Sequence, residues 1–267
     1  MNNPPTQGTA FITGASAGLG AEFARQLASR GYALALTARR QERLEALADA
    51  LRLAHNTQVS VLAADLATDQ GVSAAEQALS SLPDLALLVN NAGYGIRGGF
   101  IKNPVEKELT MVQVHITAAV RLARAALPGM LLRNQGAIIN VSSIAAFFPL
   151  RNTTYSATKA YLVNFSQGLQ SELWGKHIRV QALCPGYVHT EFHSTPEMAG
   201  FRESSIPSLF WLNAPDVVAS SLISLERGGG VCIPGWQYRL AAYFLRAPLT
   251  SALAQRFVRF LYSRRRP

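Results

Sequence analysis

Tyr155 and Lys159 stand four residues apart in the run Tyr155-Ser-Ala-Thr-Lys159. On a helix this spacing sets a phenol and an ammonium one turn apart on a shared face. A positive charge beside a tyrosine favours the phenolate, so the pair predicts a phenol below its usual pKa of ~10. Such a group gives or takes a proton near neutrality, which is the acid–base work needed at a carbonyl or an alcohol. Taken alone, the pair also fits a solvated helix face. It follows a serine pair, Ser142-Ser143, at the end of the apolar run Ala137-Ile-Ile-Asn-Val141, and far upstream lies the glycine-rich turn Thr13-Gly14-Ala-Ser-Ala-Gly18-Leu-Gly20.

These groups need elements to position them. Thr9-Ala-Phe-Ile-Thr13 reads as a strand entering the glycine turn, and a helix-like segment then runs to Arg30, with Gly31 as its stop. Tyr32–Thr37, Val59–Leu62, Leu85–Val89, Ala137–Val141 and Ile178–Leu183 are further apolar strands. Helical periodicity fills the intervals, with Leu44, Leu47 and Leu51 on one face and longer stretches over 109–132 and 155–174. Strands alternating with helices predict an α/β fold with a parallel sheet covered on both faces. Ligands in such folds bind at the carboxyl ends of the strands, where the strand order reverses. Each of the motifs follows directly on a predicted strand.

The chain has 267 residues, 49% of them hydrophobic and 15% charged, enough to bury a large core in one domain. The start, Met1-Asn-Asn-Pro-Pro-Thr-Gln-Gly, lacks the basic and apolar regions of a signal peptide, and no apolar run approaches a membrane span, so a cytoplasmic location is expected. Cys184 and Cys232 fit neither a disulfide framework nor a metal site. Eight of the 25 basic residues lie within 227–267, which holds none of the 16 acids, so all but one unit of the net charge of +9 belongs to the tail. No nucleic-acid motif accompanies it.

The spacing Gly14, Gly18, Gly20 between a strand and a helix permits a tight turn and close approach of a pyrophosphate to a helix N-terminus, although a plain tight connection has the same pattern. Asp65, after the third strand, reads either as an acceptor for an adenine amino group or as a helix N-cap. The second strand ends in Thr37-Ala38-Arg39-Arg40, with no carboxylate for a ribose hydroxyl. Arginines in that place suit a 2′-phosphate and argue for NADP(H).

The chain resembles the short-chain dehydrogenase/reductase family. The resemblance rests on Thr13–Gly20, Asp65, Asn90-Asn-Ala-Gly93, Ser143, Tyr155-x-x-x-Lys159 and Cys184-Pro-Gly-Tyr-Val-His-Thr190, and spans about residues 9 to 190. It implies a Rossmann-type doubly wound sheet of about seven parallel strands, assembled as a homodimer or homotetramer. It also implies reduction of a carbonyl by hydride transfer, with Tyr155 as acid–base, Lys159 holding the nicotinamide ribose and a serine orienting the carbonyl. The usual family spacing to tyrosine selects Ser142. Aligning the preceding strand from Gly136 selects Ser143, which is preferred because loops rather than strands absorb deletions. The resemblance extends the cofactor set to Ser16, Leu19, Leu66, Asn91, Ala92, Gly93, Pro185, Gly186, Val188 and Thr190. Where many relatives have an asparagine that helps hold a relay water, this chain has His115, read as a proton relay or as space-filling.

Residues 1–235 are expected to form the catalytic domain, with a substrate loop over about 190–212. Tyr94, Phe147, Phe148, Tyr187, Phe192, Phe201 and Trp211 are expected to line a large apolar pocket for a hydrophobic carbonyl substrate. Oxidation of an alcohol and a non-catalytic nucleotide-binding scaffold are the alternatives. From Trp236 a basic, amphipathic extension (236–267) follows, with Leu249, Leu253, Phe257, Phe260 and Leu261 at helical spacing and Arg256 and Arg259 opposite. That pattern suits either an anionic membrane surface or packing on the body or a partner subunit.

Overall fold

The computed structural model describes residues 7–147 and 153–246. Seven strands form one parallel sheet: β1 (Thr9–Thr13), β2 (Ala33–Ala38), β3 (Val59–Ala63), β4 (Leu85–Asn90), β5 (Gly136–Val141), β6 (Ile178–Leu183) and, last in the chain, β9 (Val231–Cys232). Their order is β3-β2-β1-β4-β5-β6-β9, so the chain reverses direction across the sheet between β1 and β4. Strands such as Ala33-Leu-Ala-Leu-Thr-Ala38 and Leu85-Ala-Leu-Leu-Val-Asn90 are apolar at almost every position because both faces are covered.

One core lies between the sheet and α1 (Gly18–Ser29), α2 (Gln41–His55) and α7 (Ala214–Glu226), through Phe23, Leu27, Leu44, Leu51, Val217 and Leu222. The opposite core packs the sheet against α3 (Asp69–Ser80), α5 (Ala118–Arg133) and α6 (Thr153–Glu172), through Val72, Leu79, Leu122, Met130 and Leu173. The stretch expected as one helix over 109–132 is α4 (Val105–Val112) and α5 joined by a π-helical turn, Gln113–Thr117. A π-turn adds a residue to the turn and re-aims the side chains that follow, and such turns recur at functional sites. His115 sits in the middle of this one.

The segment between β6 and α7 carries a small parallel pair, β7 (Tyr187–His189) with β8 (Trp211–Asn213), separated by four short 3-10 turns. This is the segment expected as a substrate loop. The last described element, α8 (Trp236–Arg246), begins at the expected domain boundary and is fastened to the body. Tyr238 is buried, and its hydroxyl accepts from the Tyr187 N–H at 3.0 Å and donates to the Phe210 carbonyl. Residues 236–246 are thereby held against β7 and the segment that carries Phe210. Leu249, Leu253, Arg256, Phe257, Arg259, Phe260 and Leu261, like Phe148, lie outside the described residues. Among the described residues, no helix is long and apolar enough to cross a membrane.

Candidate active site

The glycine turn and the loop after β4 meet at the point where the strand order reverses. The Asn91 side-chain amide donates to the carbonyls of Thr13 and Gly14 at 2.9 and 3.3 Å, and the backbone N–H groups of Asn91 and Ala92 both donate to Thr13 Oγ1 at 2.9 Å. Asn91 thus braces the turn. A Cβ on Gly14 would lie 2.9 Å from the Ala92 Cα, and one on Gly20 would lie 2.3 Å from the Gly14 carbonyl oxygen. Only glycine lets these three segments close up.

The fit to a dinucleotide can be tested on the first turn of α1. Its N-cap, Ala17, offers no capping side chain, and the first turn contains no acid. The N-terminal N–H groups are left for an outside anion, and the helix dipole favours one there. Ser16, Gly18 and Leu19 lie on this turn, and Thr190 covers Gly18 from the other side, its Cβ 3.3 Å from where a glycine Cβ would stand. At the rim, Arg39 is exposed at the end of β2, and Arg40 Nε and Nη2 lie 3.2 and 3.1 Å from Ser16 Oγ. Asp65 is exposed beyond β3 and accepts from the Ala67 N–H at 3.0 Å, next to the buried Leu66. The N-cap of α3 is Thr68, which accepts from the Gly71 N–H at 3.0 Å, so Asp65 does not fill that role.

The three side chains expected to do chemistry come from β5 and α6. The two serines at the end of β5 diverge. Ser142 Oγ donates to the Lys159 carbonyl at 2.7 Å and is spent on holding α6 to the sheet. Ser143 faces the Tyr155 hydroxyl and hydrogen-bonds it, and also accepts from the Ala145 N–H at 3.1 Å. Lys159 is almost fully buried and donates to the Val141 carbonyl at 2.9 Å, with Nζ 5.7 Å from the Tyr155 ring centre.

The electrostatics correct the expectation of a depressed phenol. Burial pushes the Tyr155 hydroxyl up to about 12, against the opposing pull of the Ser143 hydrogen bond, and burial also lowers Lys159 to about 8. Desolvation disfavours whichever form is charged, and at Tyr155 it outweighs the Ser143 hydrogen bond. Tyr155 is therefore a protonated donor across the physiological range.

His115 is 1% exposed and tied at both nitrogens. Nε2 accepts from the Tyr94 N–H at 3.1 Å, which places the ring proton on Nδ1, 2.9 Å from Thr158 Oγ1. Thr158 in turn donates to the Tyr155 carbonyl at 2.9 Å. Burial, followed by the charge of Lys159, holds the imidazole well below its usual pKa. The ring brackets the loop after β4 to the helix carrying Tyr155.

Beyond the β6 end, Pro185 accepts from the Ile144 N–H at 2.9 Å, Gly186 lies directly under the Tyr238 ring, and Val188 is buried in β7. A Cβ on Gly93 would stand 3.0 Å from His115 Nε2 and 3.4 Å from Lys159 Nζ, so this backbone also lies hard against both side chains. Most of the rings expected to line an apolar pocket stand close to one another. Phe192 stands 6.0 Å from Tyr155, and Tyr187, Phe201 and Trp211 gather at 5.5–6.4 Å spacings. Phe147 packs against a small core with Val163, Ala182 and Cys184. Gly95 leaves room for Met198 and Phe192, and the Arg97 N–H donates to the Glu197 carbonyl at 3.0 Å. The segment after β7 thus lies down on the loop after β4. Two histidines not anticipated in this cluster belong to it: His189 stacks on Trp211 at 4.6 Å and His193 on Phe201 at 4.7 Å. Their recurrence among Tyr187, Phe192 and Phe201 was the available signal.

Comparison with known proteins agrees with this geometry. The family model described as short chain dehydrogenase matches residues 8–198. A serine 3-dehydrogenase of Agrobacterium fabrum is 40% identical over 191 residues, covering 69% of this chain and 74% of that protein. Very-long-chain 3-oxoacyl-CoA reductase-A of Danio rerio is 35% identical over 187 residues, covering 68% of this chain but only 58% of the fish protein. Among solved structures, a short-chain dehydrogenase from Sphingobium yanoikuyae in complex with NADPH aligns over 97% of this chain and 96% of its own, with 33% identity and a TM-score of 0.80. The chain belongs to the short-chain dehydrogenase family, whose members are oxidoreductases using a nicotinamide cofactor.

Proposed function

We propose that this protein is an NADP(H)-dependent reductase of hydrophobic ketones or aldehydes in which Tyr155 gives the proton. The observation that carries the reading is the phenol of Tyr155, hydrogen-bonded to Ser143 and kept protonated by burial, one helical turn from a buried lysine. When bound, the reduced nicotinamide supplies hydride to the carbonyl carbon. Tyr155 donates its proton to the oxygen on which negative charge develops, and the cationic form of Lys159, one turn away, favours the phenolate left behind. Ser143 orients the carbonyl oxygen through its hydroxyl. His115 is assigned as a positioning residue: it fixes Tyr94 and, through Thr158, the start of the catalytic helix.

The dinucleotide would lie across Gly14, Gly18 and Gly20 at the open first turn of α1, between Asn91–Gly93 on one side and Pro185–Thr190 on the other. Arg39 and Arg40 stand where a 2′-phosphate reaches the end of β2, and a charge-assisted contact of ~1.5–3 kcal/mol there amounts to about ten- to over a hundredfold in affinity. NADPH and NADP+ in the neighbouring complexes support the choice of cofactor. Substrate polarity rests on the rings of the lid and on relatives that include very-long-chain 3-oxoacyl-CoA reductases and a bulky-bulky ketone specific alcohol dehydrogenase. The test is a panel of apolar carbonyls, including long-chain 3-ketoacyl thioesters, followed by loss of reduced-nicotinamide absorbance with NADPH and with NADH. Turnover at least about tenfold more efficient with NADPH is expected. Equal use of both cofactors would reject the role of the arginines, and no turnover of any apolar carbonyl would reject the substrate class.

A further inference from the structure

We propose that Glu191 is a built-in competitor for the cofactor's 2′-phosphate, and that exchanging one anion for the other unlatches the lid. The inference rests on the NADP(H) reading above. Arg40 Nη1 lies 3.0 Å from one carboxylate oxygen of Glu191, and Arg43 Nη1 lies 2.5 Å from the other. The same Arg40 guanidinium reaches Ser16 on the glycine turn through Nε and Nη2. One arginine thus joins the cofactor turn to the first residue of the lid.

Glu191 opens the 3-10 turn Glu191–Ser194 that follows Thr190. Its carbonyl accepts from the Ser194 hydroxyl at 3.1 Å, and its neighbour Phe192 carries the ring that stands against Tyr155. Arg43 and then Arg40 hold the carboxylate below its usual pKa, so it stays charged as the lid's latch. A 2′-phosphate at the end of β2 would need the Arg40 N–H groups that Glu191 occupies. Two anions on one guanidinium oppose each other, and the dianion, taking several charge-assisted hydrogen bonds, displaces a half-exposed carboxylate. Released from Arg40 and held by Arg43 alone, the turn holds Phe192 less firmly against Tyr155. A cofactor without the phosphate leaves the latch shut, so the discrimination made at the adenosine end is carried to the substrate end.

The probes are 2′,5′-ADP and 5′-ADP, with the full-length protein and its Glu191→Gln and Glu191→Ala variants at low salt. Both variants should bind 2′,5′-ADP about three- to fivefold tighter than wild type, the range for an exposed ion pair, and 5′-ADP unchanged. Trypsin cleavage after the exposed Arg202 in the lid should quicken in wild type with saturating 2′,5′-ADP but not with 5′-ADP. In the variants it should be fast without ligand. If wild type favours 2′,5′-ADP but the variants bind it no tighter, or if 2′,5′-ADP slows cleavage, Glu191 is not a competing latch and the NADP(H) reading stands. If wild type binds both probes alike, the cofactor reading falls and this inference with it.

Discussion

In the proposed mechanism, Lys159 is the residue whose charge state sets the working range of the site. Burial holds its ammonium to about 8, while the Tyr155 phenol stays protonated up to about 12. Below about pH 8 the site therefore holds both its cation and its proton, and as pH rises through that value the cation is lost first. For carbonyl reduction, kcat/KM, which reports groups of the free enzyme, should be level on the acid side and fall about tenfold per unit above pH 8. Lys159→Arg should lower the plateau but move the falling limb upward, because a guanidinium keeps its charge. A limb that stays put in the variant would assign it to another group. The Tyr155–Lys159 pairing is plain in the sequence because helical spacing is local. The direction of the phenol's shift is not, because it is decided by how much protein packs over the two side chains. The same holds at the serine pair, where the turn after β5 aims Ser143 at Tyr155 and Ser142 at the Lys159 carbonyl. His115 was visible as a substitution, but its bracket needs Tyr94 and Thr158 from two other segments.

At the scale of elements, the long apolar strands are legible, and β1 and β6 have the limits their residue runs imply. β9 has two residues, and β7 and β8 have three each, too few to show a period. The π-turn at Gln113–Thr117 is also hidden, since one extra residue in one turn hardly alters helical periodicity. Gly186 shows how closely the elements behind the site approach one another. A Cβ there would fall 1.9 Å from the Tyr238 ring, whose hydroxyl links the Tyr187 N–H to the Phe210 carbonyl. Gly186→Ala should therefore lower unfolding free energy by about 1–3 kcal/mol, as overpacking does. Urea denaturation should show part of that loss returning when Tyr238 is also shortened to Ala, because neighbouring sites do not add. A Gly186→Ala variant within about 0.5 kcal/mol of wild type, the scale of an ordinary surface change, would mean that α8 is not held in this way.

Across the whole molecule, one arrangement serves both cofactor and chemistry. The sheet reverses between β1 and β4, and that reversal brings the glycine turn, the Asn91 loop and the ends of β5 and β6 to one edge. The segment after β7 gathers Phe192, His193, Phe201 and Trp211, so aromatic residues readable as a pocket lining are found packed against each other. Sequence shows which residues are apolar and follow the catalytic strands; it does not show that they fill the space between themselves. Tyr155→Phe removes the proton proposed for the carbonyl oxygen, and its effect is read from turnover of the best carbonyl with NADPH affinity measured by titration alongside. Turnover should fall by about two to four orders of magnitude, the share of a positioned general acid, while NADPH affinity stays within a few fold. Turnover above a tenth of wild type with NADPH binding intact would contradict the assignment.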